Sequence, residues 1–303
     1  MSNITFEKFD LTKYRTCPIV TDGKIAKLYG ISGDNVYLLP RGEKAKSFKY
    51  AEQLCRWFLS LNLNKSDQVV AVGGGSVGDA VGFAASIYKR GVRLLHVPTT
   101  LLAQIDSSIG GKTALNLDGV KNAVGSYHFA DTLIDVDFLK TLDKKQLTSG
   151  YGELLKYRML SDGIDRVYQE GDLTQTVQAC VKYKQQLCDV DPYCQNERNK
   201  LNFGHTIGHA MELTYGLPHG IAVANGIYYE TLLAVNLGIC SRDYAAKWIA
   251  EAKKFTILPL TDEILSLTLS DKKNACGKVS FVLPEAFERA SLTLEKLEEL
   301  KNA

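Results

Sequence analysis

Residues 69–83 read VVAVGGGSVGDAVGF, an apolar, β-branched run that passes through three consecutive glycines into an amphipathic stretch. A buried strand that turns this sharply into a helix commits the chain to a βα unit, because a parallel sheet buries its strands on both faces. Similar units recur through the first half. Short apolar runs at Cys17–Thr21, Asn35–Leu39, Gln68–Val72, Arg93–Val97 and Leu133–Val136 predict strands, and Ala45–Leu61 and Val77–Tyr88 predict helices between them. The expected fold class is α/β: an N-terminal domain with a parallel, Rossmann-like sheet covered by helices.

Gly73, Gly75 and Gly78 also satisfy G-x-G-x-x-G. Glycines there let the backbone approach a pyrophosphate while the helix N-terminus presents N–H groups to it. About 20 residues on, where the usual dinucleotide fold places an acidic ribose ligand, this chain reads HVPTT. A nucleotide bound here is expected to sit outside the standard Rossmann manner.

From about Asp143 the pattern changes. Apolar residues recur three and four apart in Leu173–Leu187, Asn202–Tyr215, Ile221–Leu237 and Tyr244–Phe255, which predicts a mainly α-helical C-terminal domain. Lys278–Leu283, KVSFVL, alternates like a strand and predicts a small late hairpin. The domains are expected to span 1–142 and 143–303.

The helical half concentrates metal-ligand chemistry. Of the chain's 5 histidines, His205, His209 and His219 fall together in LNFGHTIGHAMELTYGLPHG, downstream of Glu153 and Lys156 in GYGELLKYRML. His205 and His209 are four apart and share a helix face, with Asn202 a turn earlier; Glu153 and Lys156, three apart, share a face of the preceding helix. His219 follows Gly216 and Pro218 and begins the next apolar run. Neutral imidazoles and a carboxylate suit a borderline divalent ion such as Zn²⁺, and three protein ligands leave a position open for chemistry.

Composition narrows the alternatives. With 36 Lys+Arg against 34 Asp+Glu, the net charge of +2 argues against nucleic acid or an anionic membrane as partner. The N-terminus MSNITFEKFDLTKYRTC lacks a signal peptide's apolar stretch, and no segment carries the roughly 18 apolar residues of a membrane span. The 7 cysteines contain no C-x-x-C pair and read as reduced thiols; Cys188 and Cys194 fit no zinc spacing. A cytoplasmic protein is expected.

Four segments, GGGSVGDAVGFAASIYKRG, VPTTLLAQIDSSIGGKTALNLDGVKNAVGSY, GYGELLKY and LNFGHTIGHAMEL with LPHG, resemble in order and spacing the successive motifs of 3-dehydroquinate synthases, from about Glu43 to Lys273. The resemblance implies an NAD-binding α/β domain, a helical domain carrying a divalent metal, Zn²⁺ or Co²⁺, and an active site in the cleft between them. It implies a homodimer acting on 3-deoxy-D-arabino-heptulosonate 7-phosphate, a phosphorylated sugar acid.

Carried over by position, the resemblance makes Glu153, His205 and His219 the metal ligands and turns His209 towards substrate. Arg90, reaching in from the neighbouring subunit, Asp106, Lys112, Lys121, Asn122, Lys156, Lys184, Arg198, Asn202 and Lys272 or Lys273 would bind substrate. Glu43, Lys46, Gly74, Gly75, Asp79, Thr99, Thr100, Thr141 and Leu142 would hold NAD. Several cations are expected, because a buried anion without charged partners is costly.

The sequence departs from the family pattern at Ile221, where Glu usually follows the His-Gly pair, and at Gly152 and Arg158, which replace Ala and Gly. The segment before the glycine motif is also short. Three rivals remain. Another sugar phosphate cyclase, such as a 2-deoxy-scyllo-inosose synthase, would take a substrate without the carboxylate, against which Lys184, Arg198 and Asn202 argue. A metal-dependent polyol dehydrogenase would not need Lys112, Lys121 and Asn122. A catalytically silent homologue would be free to lose side chains that are all present here.

Overall fold

The structure, a computed structural model, describes residues 2–269, 279–292 and 300. The expected substrate lysines Lys272 and Lys273 lie outside the described residues. Two compact units emerge: Met1–Leu142 with Val181–Tyr193, and Asp143–Cys180 with Cys194–Ala303.

The first unit contains β1 (Ile4–Phe6), β2 (Ile19–Asp22), α1 (Gly23–Tyr29), β3 (Val36–Leu39), α2 (Phe48–Ser60), β4 (Gln68–Gly73), α3 (Gly75–Ile87), β5 (Arg93–Pro98), β6 (Lys112–Leu117), β7 (Val120–Tyr127) and β8 (Asp131–Ile134). Six strands form one sheet in the order β1-β8-β5-β4-β2-β3, and every pairing in it is parallel. Successive residues of β4 serve opposite faces, as strand geometry requires. Val69 and Ala71 join a core built with Leu54 and Phe58 of α2 and Val77, Ala80 and Val81 of α3. Val70 and Val72 join another, with Ile19, Leu95, Val97, Leu133 and Phe138. That double burial explains why β4 reads as a continuous apolar run.

Strand order reverses between β2 and β4, so the carboxyl end of β4, where the glycine motif begins, lies at the sheet's switch point. Open α/β sheets bind ligands there. The five expected strands form, with one shift. The run expected at Leu133–Val136 forms Asp131–Ile134 instead, because Asp135 opens a short 3-10 helix (Val136–Thr141) by accepting from Asp137 N at 2.9 Å.

The antiparallel hairpin β6–β7 was not expected. Its signal was present in Asp118-Gly119, a favoured two-residue turn flanked by alternating runs.

The second unit is built from α4 (Lys144–Leu160), α5 (Asp162–Gln169), α6 (Leu173–Val190), α7 (His205–Tyr215), α8 (His219–Asn236), α9 (Arg242–Ala252), α10 (Asp262–Leu269) and the antiparallel pair β9 (Val279–Leu283) and β10 (Glu288–Leu292); residues of α6 from Val181 onward count with the first unit. Its cores gather Leu155, Phe203, Val223, Ile227 and Trp248, and Ile207, Met211, Leu233, Ile264 and Phe281. No helix among the described residues is long and apolar enough to cross a membrane.

Arg158, one of the departures from the family pattern, ties α4 to its neighbours. It is 3% exposed, donates from Nε to Asp165 at 2.8 Å and from Nη1 to Glu251 at 2.7 Å, and stacks over the Tyr168 ring at 4.0 Å. Burial alone would raise both carboxyls, yet the bonds from Arg158 and from Lys247 or Lys254 hold Asp165 and Glu251 below the usual carboxylate range.

Two outcomes follow from these buried groups. Arg158→Met removes the cation that Asp165 and Glu251 share and leaves each with one lysine, so urea unfolding at neutral pH should show a loss of about 1–3 kcal/mol; an unchanged midpoint would refute the network's role. His96 of β5 is buried, and burial, with His128 adding, pushes its pKa down to about 4 from 6.5. Above 6.5 the imidazole is neutral in both states and costs nothing. As pH falls from 6.5 towards 4 only the unfolded chain gains the proton, so about 3 kcal/mol of stability should drain away in that window. His96→Gln should flatten the slope, as read from denaturant midpoints at several pH values.

Candidate functional site

In the helical unit, three elements bring the metal-ligand residues together. Glu153 is fully buried on α4. Its Oε1 accepts from Lys156 Nζ one turn later. Its Oε2 lies 3.9 Å from Nε2 of both His205 on α7 and His219 on α8, and has no hydrogen-bond partner. An orphaned carboxylate oxygen inside a protein is costly unless a cation answers it.

Both imidazoles are held with Nε2 towards that oxygen. His205 Nδ1 lies 2.9 Å from Phe203 O, and His219 Nδ1 lies 2.9 Å from Glu212 Oε2. Each outer nitrogen is therefore assigned the proton, leaving the Nε2 lone pairs facing Glu153. Burial, with the Lys156 charge adding, holds His205 well below the usual imidazole range, in the neutral form a metal requires. Tetrahedral bonds of about 2.0–2.2 Å set two ligand atoms about 3.4 Å apart, so the observed 3.9 Å is within a small side-chain adjustment of a divalent ion's shell.

The exposed His209 completes the histidine group: one ring nitrogen from each of His205, His209 and His219 lies within 4.8 Å of the others. Its ring centroid is 5.2 Å from that of His205. Three histidines alone are thus a second candidate ligand set, but the orphaned oxygen belongs to Glu153.

The helices meet because glycine lets them. A Cβ on Gly220 would stand 1.7 Å from Ser149 O, and one on Gly152 would stand 1.9 Å from Gly220 O. α4 and α8 therefore touch backbone to backbone, which sets Glu153 beside His219. The departure at Gly152 is part of that contact.

Glu212 was missed at the level of sequence, although it lies seven residues past His205, on the same helix face. It supplies the outer partner of His219. Asn202 corrects an expectation. It does not precede His205 on one helix: it ends a 3-10 helix (Glu197–Asn202), and Gly204, with φ 77°, breaks the chain before α7. Its Nδ2 lies 3.3 Å from Asn199 Oδ1. Arg198, in the same 3-10 helix, is 2% exposed.

In the α/β unit, α3 starts at Gly75 without a side-chain cap. Side chains there would fill the cradle: a Cβ on Gly74 would meet Thr100 Cγ2 at 3.0 Å, and one on Gly75 would meet Ser107 Oγ at 2.9 Å. The Ser107 hydroxyl beside Gly75 is buried and has no hydrogen-bond partner, an arrangement that suits an anion at this turn; the Thr99 hydroxyl is buried without a partner as well, and Thr99 N donates to Gly73 O at 3.0 Å. Ser107 was not anticipated.

Beside it, Lys46, 5% exposed, pairs with Asp79 at 2.6 Å and donates to Asn122 Oδ1. Asn116, also missed, links two expected residues: its Nδ2 donates to Glu43 at 2.8 Å and its Oδ1 accepts from Asn122 N at 3.0 Å. Asn122, with φ 52°, was expected on the substrate side, yet it shares a network with Lys46 and Glu43, expected on the NAD side.

Asp106 sits in a π-helical turn (Ala103–Ser107) and accepts from the buried Lys184 at 2.7 Å. Lys112, Lys121 and Arg90 are exposed, and Arg90 follows Lys89 in a left-handed pair, φ 48° and 64°. Thr141 Oγ1 lies 2.5 Å from Tyr29 Oη, and Leu142 closes the same turn through a 3.2 Å bond to Leu139 O.

Residues 36–149 match the family described as 3-dehydroquinate synthase N-terminal, and 150–274 match 3-dehydroquinate synthase C-terminal. The 3-dehydroquinate synthase of Alkaliphilus metalliredigens (strain QYMF) is 38% identical over 93% of this chain and 87% of its own length. That of Ruegeria sp. (strain TM1040) is 34% identical over 94% of this chain and 86% of its own. Among solved structures, 2-deoxy-scyllo-inosose synthase complexed with carbaglucose-6-phosphate, NAD⁺ and Co²⁺ superposes with a TM-score of 0.82 at 25% identity, covering 99% of this chain and 96% of that one.

Gly220→Ala tests the helix contact. The added methyl must push α8 from α4, at a cost of about 1–3 kcal/mol or more, and should weaken Zn²⁺ binding by spreading Glu153 from His219. Wild-type Zn²⁺ affinity in the folded variant would show that the contact does not set the ligand spacing.

Proposed function

Because the chain belongs to the 3-dehydroquinate synthase family, we propose that it converts 3-deoxy-D-arabino-heptulosonate 7-phosphate to 3-dehydroquinate and phosphate, using NAD and a divalent metal ion, preferably zinc. The observation that carries the metal part is the orphaned Glu153 Oε2 facing two oriented imidazole nitrogens. Glu153, His205 and His219 are proposed as the ligands.

When bound, the two cofactors supply a reversible hydride acceptor and a Lewis acid for the substrate's hydroxyls. The side chains do the rest. Lys156, held on Glu153, is assigned to proton transfer at the hydroxyl being oxidised. Arg198 offers a planar fork to the substrate carboxylate, with Asn202 beside it in sequence. Lys112, Lys121, Lys184 and Lys272 or Lys273 answer the remaining negative charge, and Asp106 fixes the Lys184 ammonium.

His209, the exposed member of the histidine group, is assigned with Asn122 to the departing phosphate. Elimination becomes accessible once the neighbouring carbon carries a ketone, which acidifies the adjacent C–H. A bound NAD would take up the hydride and give it back, so no NADH would accumulate, and ring opening and aldol closure are the substrate's own chemistry. Positioning and electrostatic stabilisation of successive anions are the protein's main contributions.

NAD is assigned to Glu43, Lys46, Gly74, Gly75, Asp79, Thr99, Thr100, Thr141 and Leu142. The NAD-binding portion is taken as 1–142 and the metal- and substrate-binding portion as 143–303. The strained turn at Lys89 and Arg90 supports a special role for Arg90, assigned to the site of a second copy in a homodimer. The free thiols of the described cysteines accord with a cytoplasmic location.

The test is phosphate release from 3-deoxy-D-arabino-heptulosonate 7-phosphate, with and without NAD⁺ and Zn²⁺, while NADH absorbance is followed. Release should require both and proceed without NADH accumulation. No release by a metal-loaded, NAD-bound protein would reject the synthase reading; turnover of a neutral sugar phosphate would point to another cyclase, and NADH build-up with polyols to a dehydrogenase. His205→Ala should lower both metal content and activity, the latter by more than about 100-fold, beyond what loss of an outer partner costs.

A further inference from the structure

One more carboxylate in the helical unit is fully buried and has no part in that chemistry. Glu230 of α8 is 0% exposed; its Oε2 accepts from Gly204 N at 2.6 Å and its Oε1 from Ile207 N at 3.2 Å. Gly204 is the N-cap of α7 and Ile207 its third residue. These are the two N–H groups that a capping box satisfies from within its own helix. Here the N-cap is a glycine with no side chain, and one carboxylate from another helix makes both bonds.

His205 lies between the two bonded amides, as the first residue of α7. Its Nδ1 partner, Phe203 O, belongs to the residue just before Gly204. Whatever holds Phe203 and Gly204 in place therefore also aims His205 Nε2. The α8 backbone presses on the same spot, since a Cβ on Gly226 would stand 1.9 Å from Gly204 O. A negative charge also complements the positive end of α7.

We propose that Glu230 is a positioning residue of the metal site, fixing the first turn of α7 so that His205 meets the ion. This rests on the metal reading above. The outer partners of metal-binding histidines typically control metal affinity by about 10–100-fold; Glu230 acts one step further back, through the backbone that carries the histidine's own acceptor.

The experiment is competition of the metal-free, full-length protein against a chromophoric chelator for Zn²⁺, together with the visible spectrum of the Co²⁺-loaded form. Glu230→Gln, which keeps one acceptor oxygen but turns an amide towards the other N–H, should bind Zn²⁺ about 10-fold more weakly or worse, with an altered Co²⁺ band, at a temperature where the variant is folded. Glu230→Asp keeps the charge at shorter reach and should recover part of the affinity. It also serves if Glu230→Gln does not fold, and must then bind Zn²⁺ more weakly than wild type.

A merely structural cap would lower thermal stability and leave both metal readouts unchanged, and that result in a folded variant would overturn the proposal. Wild-type protein that is folded yet binds neither Zn²⁺ nor Co²⁺ would instead sink the metal reading, and the proposal with it.

Discussion

The backbone contact of α4 with α8 is the constraint on which the helical unit depends. At Gly152 and Gly220 neither helix has room for a methyl group, so α4 and α8 meet in backbone-to-backbone van der Waals contact. Glu153 follows Gly152 and His219 precedes Gly220. The contact thus delivers a carboxylate and an imidazole to each other without relying on any flexible side chain. Gly220 N also donates to Ser149 Oγ at 3.0 Å, which satisfies an amide at the start of α8 and fixes the register.

That packing puts charge where water cannot reach it, and the unit answers each charge with a specific partner. Glu153 is held by Lys156 on one oxygen and left open on the other. Glu230 is spent on two amides of α7, and Glu212 on His219. Of these carboxylates, the one whose buried oxygen lacks a protein donor is the one that faces two lone pairs. Lone pairs facing a carboxylate repel unless a cation intervenes, which is why the arrangement reads as a metal centre more than as a stability device.

The α/β unit follows different logic. A doubly buried sheet presents the carboxyl end of β4 at its switch point, and the glycine turn leaves the orphaned Ser107 hydroxyl beside a space that side chains would fill. The network running from Ser76 through Glu43, Asn116 and Asn122 to Lys46 and Asp79 ties α3 to the β6–β7 hairpin. Residues taken from separate motifs thereby become one hydrogen-bonded group, and a change in any of them is felt by groups expected on both the cofactor and the substrate side.

Much of this was legible in one dimension. The buried strands, the glycine turn, the helical second half and the grouping of His205, His209 and His219 follow from periodicity and spacing, because backbone geometry repeats every two or 3.6 residues and leaves that period in the sequence; Glu153 joined the histidines as a ligand through the family resemblance. What spacing cannot reach is a contact between segments far apart in the chain. Gly152 against Gly220, Glu212 on His219, Asn116 between Glu43 and Asn122, and Glu230 across the start of α7 are partners chosen by packing, and no local period records them. The break before α7 belongs with these: the helical pattern ran on through Asn202, but Gly204 took a left-handed conformation against α8, where only glycine fits. The sequence by itself determined which residue types could bind an ion and a dinucleotide; tertiary structure decided which oxygen and which nitrogens face each other, because orientation depends on neighbours that only the folded chain assembles.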